Sequence, residues 1–157
     1  RKFFEGKGHS ARAVKFGDRI GFAGTTAGGK KEGLRNENYD FRVEVDDECV
    51  YSFVRLPNVS TNQQAEIRRF ITLVNKELHD SCNTLVYEEQ VGAIICRSQI
   101  HVVEFLEDVP DSISRLLRHP VDILDDCSAS IEKITCGACD AAAAIEELKK
   151  SQGKREK

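Results

Sequence analysis

The sequence predicts a single α+β domain in which an antiparallel sheet carries its helices packed on one face. Strand-like segments come in pairs, one helical segment separates the pairs, and helical segments close the chain. Single strands alternating with helices would imply a parallel sheet, whereas paired strands imply hairpins. The 157 residues fit one domain, able to bury roughly two-thirds of its unfolded surface without disulfides or metals. No repeat of roughly 20 to 50 residues is visible, and no linker divides the chain.

Residues 1–38 read as a basic, Gly-rich arm. Arg1, Lys2, Lys7, Arg12, Lys15, Arg19, Lys30 and Lys31 face only Glu5 and Asp18 there. Arg12 to Phe16 and Arg19 to Ala23 have the texture of short strands, and a Gly-rich stretch follows from Gly24 to Gly33. Residues 39–150 form the domain proper. Phe41, Val43 and Val45 alternate with Arg42, Glu44 and Asp46, the pattern of a half-buried strand. Asp46-Asp47-Glu48 turns the chain, Val50 to Leu56 makes a second strand, and Pro57-Asn58 closes it. Ser60 with Gln63 has capping-box spacing. Ile67, Phe70, Ile71, Val74 and Leu78 then mark one apolar face of a helix over about 61–79. Thr84 to Glu88 and Ala93 to Val102 read as a hairpin turning at Glu89 to Gly92.

Pro110 and Asp111 open a second helical pattern, with Ile113, Leu116 and Leu117 on one face. Its period continues through Val121, Leu124, Ser128, Ile131 and Ile134 past a kink at Pro120. Gly137 stops it. A terminal helix from about Ala138 to Lys149 has Ala141, Ala144, Ile145 and Leu148 on one side, and residues 151–157 are a polar tail.

The net charge of −3 supplies no global field to draw in nucleic acid, and none is expected as a partner, because no Arg- and aromatic-bearing sheet face stands out. No apolar run approaches the roughly 20 residues that span a bilayer. The basic arm suits an acidic surface or peripheral contact with a membrane complex. The chain begins with Arg1 and contains no Met, which fits a form processed on import into an organelle, or an incomplete sequence.

From Phe41 to Leu148 the pattern resembles the YbjN family, whose domain shares its fold with the type III secretion chaperones. The resemblance rests on Val54-Arg55-Leu56-Pro57-Asn58-Val59-Ser60, on Phe70-Ile71-Thr72-Leu73-Val74-Asn75, and on the hairpin Leu85 to Ile100 with Gly92 near its turn. The two-part helix leading to Gly137 and the small-residue helix after it complete the match. A basic arm stands where the family's opening helix is expected, which puts the chaperones' dimerisation and client-binding modes in doubt. The resemblance implies a non-enzymatic domain that binds proteins, found in bacteria and in organelles of bacterial descent such as the plastid stroma or the mitochondrial matrix.

Four constellations could carry chemistry. Gly24 to Lys31 fits G-x-x-x-x-G-K, but Lys31 stands where a phosphate loop needs a hydroxyl, and no apolar helical period follows. Cys136-Gly137-Ala138-Cys139 has thioredoxin-type spacing, yet too little chain remains to build that scaffold; a thiol redox protein or sensor using this pair is the alternative function. Cys127, Cys136 and Cys139 with His119 could offer four zinc ligands, but their spacing is not that of a zinc motif. A Cys/His or Ser/His/Asp site, which assembles in space, has no local signature here. Cys49, Cys82 and Cys96 sit in or beside apolar runs, which favours free thiols in a reducing interior. No cofactor is expected. The leading expectation is a non-enzymatic, chaperone-like adaptor or accessory subunit of a larger protein assembly. Its arm would bind the partner through Phe3, Phe4, Arg12, Lys15, Phe16, Arg19 and Phe22.

Overall fold

The computed structural model describes residues 9–16, 19–27, 38–56, 59, 62–78 and 82–152. Six strands form one sheet: β1 (His9–Phe16), β2 (Arg19–Ala27), β3 (Asn38–Val45), β4 (Cys49–Leu56), β5 (Asn83–Glu88) and β6 (Ala93–His101). Their spatial order is β1-β2-β3-β4-β6-β5, with every pairing antiparallel. The helices are α1 (Gln64–Leu78), α2 (Val102–Glu107), α3 (Val109–Ile113), α4 (His119–Thr135) and α5 (Ala141–Gln152). A π-helical turn, Ser114–Arg118, joins α3 to α4. The expected α+β class with an antiparallel sheet is thus present. Residues 9–27, read from sequence as part of the arm, supply its two outer strands.

The period of two along each strand decides which face the helices cover. Tyr39, Phe41 and Val43 on β3, Val50, Ser52, Val54 and Leu56 on β4, and Ile94, Cys96, Ser98 and Ile100 on β6 are all buried. Cross-strand register stacks them in rows, as in Phe41↔Val54 and Val54↔Cys96. Against these rows pack Ile67, Phe70, Ile71 and Val74 of α1 and Leu124, Cys127, Ile131 and Ile134 of α4. Ala141, Ala144, Ile145 and Leu148 of α5 complete the same core.

Side chains define the element ends. Asp46 Oδ1 accepts the Glu48 and Cys49 amides at 3.0 and 2.8 Å, so an Asx turn joins β3 to β4. Helix α1 begins three residues later than the capping-box spacing suggested. Gln63 has a φ of 62° and its carbonyl accepts the Ile67 amide at 3.0 Å, which makes Gln63 the N-cap. Ser60 lies outside the described residues. At the other end of the layer, Gly137 has a φ of 74° and ends α4 in a Schellman motif, with Gly137 N–H bonded to Ile134 O at 3.0 Å and Ala138 N–H to Lys133 O at 2.8 Å. Asp140 then caps α5 by accepting the Ala143 amide at 2.8 Å, and Glu66 reaches from α1 to accept the Ala141 amide at 2.9 Å. Two carboxylates thus meet orphan amides at the positive end of α5.

The expected kink at Pro120 takes the form of the π turn just before it. Pro120 has no amide to give the Leu116 carbonyl and its ring crowds that turn. The His119 amide bonds instead to Ser114 O, five residues back. Leu116 O is satisfied from the sheet, where the buried Ser52 hydroxyl donates to it. A second buried link, Tyr39 hydroxyl to Asp125 Oδ1, joins β3 to α4. Helix α2 had no forecast. It begins where the apolar run of β6 ends, and its Val103 and Leu106 are 73% and 66% exposed.

Candidate functional site: the two uncovered surfaces of the sheet

Two parts of the sheet lie outside the helical cover. The first is its β1–β2 end. Its helix-side residues are less buried than those of β3 to β6, with Ala11, Phe22 and Gly24 half-buried and Ala13 exposed. On the helix side, register places Ala11 and Ala13 of β1 beside Gly24 and Phe22 of β2, and these beside Phe41 and Val43 of β3. The rows of the buried face therefore continue onto β2 and β1 under thinner cover. A groove of about 210 Å³ is lined by Ala11, Arg12, Ala13 and Phe22, and Ala11 packs against the margin of the core.

The second is the face opposite the helices. Its centre is β4, with Cys49, Tyr51, Phe53 and Arg55 alternating against the buried set. One straight row crosses all six strands: Arg12↔Ala23, Ala23↔Arg42, Arg42↔Phe53, Phe53↔Arg97 and Arg97↔Thr84. The Arg42 guanidinium lies 4.4 Å from the Phe53 ring centroid and that of Arg97 5.4 Å from the Tyr51 centroid, within the range of cation–π attraction. Arg42 also pairs with Glu44 at 2.9 Å. Arg12, Arg55 and Arg97 make no ion pair among the described residues, and Arg55 Nε is buried with no hydrogen-bond partner. Burial pushes the Tyr51 phenol up, with help from a hydrogen bond to Cys49 and the charge of Asp46. A sheet face bearing Arg and aromatic residues together therefore exists, contrary to the expectation drawn from sequence. Its members are scattered along the chain, and only the strand register brings them into a row.

Beside Tyr51 on the same face, Cys49 Sγ lies 3.7 Å from His101 Nδ1. A thiol next to an imidazole is a nucleophile–base arrangement. Cys49 is buried, however, and the groove lined by Ala11, Ala13 and Phe22 lies at the far end of the sheet.

The residues singled out from sequence divide between these surfaces. Arg12 is exposed on the open face, while Phe22 is half-buried on the helix side. Lys15 is exposed on β1, and Phe16 and Arg19 are backbone partners at the hairpin end. Phe3 and Phe4 lie outside the described residues. Cys136 and Cys139 fall in the α4–α5 connection. Burial and the charge of Glu147 push the Cys139 thiol up, the opposite of what an activated thiol needs. Cys127 is buried in the core and His119 is exposed at the start of α4; among the described residues no three His, Cys, Asp or Glu side chains gather as metal ligands. Of the phosphate-loop-like stretch, Gly24 to Ala27 are strand and the rest lies outside the described residues. No helix among the described residues is long and apolar enough to cross a membrane. Compared with protein-family models, with curated proteins and with solved structures, the chain finds no match.

Proposed function

We propose that this chain is a non-enzymatic protein-binding module, an accessory or chaperone-like subunit that joins a larger assembly through the β1–β2 end of its sheet. One observation carries the reading: β1 and β2 extend the sheet past the core rows, and their helix-side residues Ala11, Ala13 and Phe22 are left half-buried or exposed. The helix side of that extension is a shelf of small and aromatic residues, continuous with the core through Phe41 and Val43. Among the described residues the outer strand β1 has no partner on its far edge, and such edges accept strands from other chains. A partner that adds a strand to β1 and lays an apolar side chain over Ala11, Ala13 and Phe22 would satisfy both the edge and the shelf. The YbjN-like reading of the sequence belongs to the same proposal, as does residence in a reducing compartment.

Native mass spectrometry of the protein isolated from its own source tests it. A complex much heavier than the 17.6 kDa chain is expected, and a Phe22→Asp, Ala13→Glu variant is expected to emerge alone with its circular dichroism unchanged. A variant that still assembles would sink the proposal.

A further inference from the structure

The open face of the sheet calls for a different occupant from the shelf behind it. We propose that this face binds single-stranded nucleic acid, with Tyr51 and Phe53 as stacking platforms and Arg12, Arg55 and Arg97 as the phosphate-binding groups. The inference rests on a different surface from the protein-binding reading and does not depend on it.

Charge and geometry together select this ligand. The face carries Arg12, Arg42, Arg55 and Arg97 alongside Asp40, Glu44 and Glu88, with Asp46 beside Tyr51 at its turn end. Among the described residues Arg42 pairs with Glu44, and Arg12, Arg55 and Arg97 make no ion pair. Arg12, Arg42 and Arg97 stand on alternate strands of one row, about 10 Å apart at ordinary strand spacing. An extended polyanion crossing the strands meets a guanidinium at each such step. An acidic peptide offers charge alone. The central strand adds two adjacent aromatic rings, each under a guanidinium. Planar guanidinium and ring surfaces are what unstacked bases lie on, and every base has such a face, so this recognition tolerates sequence. A duplex hides the base faces that such a stacking surface would engage.

Fluorescence anisotropy with labelled mixed-sequence oligonucleotides of roughly 12 nucleotides, within the usual range of site sizes, tests the proposal on the full chain. Single-stranded RNA and DNA are titrated separately, with matched duplex and polyglutamate as competitors. Binding of either single strand is expected, with tighter RNA binding pointing to contacts with the 2′-hydroxyl. Phe53→Leu and Tyr51→Leu keep an apolar side chain in the strand and remove the ring, and each is expected to weaken binding roughly ten-fold. Arg97→Ala is expected to reduce the slope of log affinity against log salt by about one. Thermal melts confirm that each variant is folded. Three outcomes overturn the proposal: no binding at low salt, affinity indifferent to both Leu substitutions in folded protein, or equal competition by duplex or polyglutamate. The last would mark the face as a general acidic-partner surface.

Discussion

Pro120 withholds a hydrogen from the Leu116 carbonyl, and Ser52 supplies one from the opposite layer. Each side chain makes sense only with the other. Ser52→Ala strands a buried carbonyl and is expected to cost about 1–3 kcal/mol. The cost appears as a lower urea midpoint with unchanged m-value. Pro120→Ala returns an amide to the helix, so the double variant should lose less than the sum of the two single changes. Strict additivity would show that the hydroxyl contributes nothing at Leu116. Neither partner was legible as such in the sequence. Ser52 reads there as one polar residue on the apolar side of a strand, and the kink reads as a property of Pro120 alone.

At the scale of elements, the strands β3 to β6 and the helices α1, α4 and α5 were legible because each buries one face and its apolar residues repeat with the matching period. Helix α2 was not, because Val102 continues the apolar run of β6 and nothing local marks the change. The start of α1 was misplaced for a related reason. Ser60 and Gln63 satisfy the spacing of a cap, but Gln63 itself takes the left-handed conformation that ends the incoming loop. Two left-handed residues now stand at helix ends with opposite fitness for the task. Gly137 suits its φ of 74°, whereas Gln63 bears a Cβ at 62°. Gly137→Ala is expected to destabilise the protein by about 1–2 kcal/mol, and Gln63→Gly to stabilise it by less than that, since Gly loses more freedom on folding. Thermal unfolding of the two variants under one buffer condition checks both signs. A loss of stability in Gln63→Gly would show that its side chain, which comes near Gly137, contributes more than its backbone costs.

For the whole molecule, the division of labour is between a core on β3 to β6, whose inward residues are buried, and an extension of two strands whose helix-side residues Ala11, Ala13 and Phe22 are half-buried or exposed. Removing residues 1–37 is therefore expected to leave cooperative unfolding and helical circular dichroism in place while abolishing assembly with the partner. Loss of the single transition would show that β1 and β2 belong to the core. The candidate surfaces were only partly legible. Composition marked the first residues as basic and aromatic, but strand alternation divides them, sending Arg12 to one face and Phe22 to the other. Sequence order cannot show such a division before the register is known. The open-face row of Arg42, Phe53 and Arg97 was hidden for the same reason.

Two of the buried polar links between the layers, Ser52 to Leu116 and Tyr39 to Asp125, bear on uniqueness as well as stability. An apolar interface of Ile, Leu and Val tolerates more than one alignment of helix on sheet, because hydrophobic contact is indifferent to direction. A slip of the π turn and α4 by one turn would leave two hydroxyls, a carbonyl and a carboxylate in apolar surroundings with their partners out of reach. The links thus act as a vernier, rejecting near-miss packings that the hydrophobic contacts alone would accept.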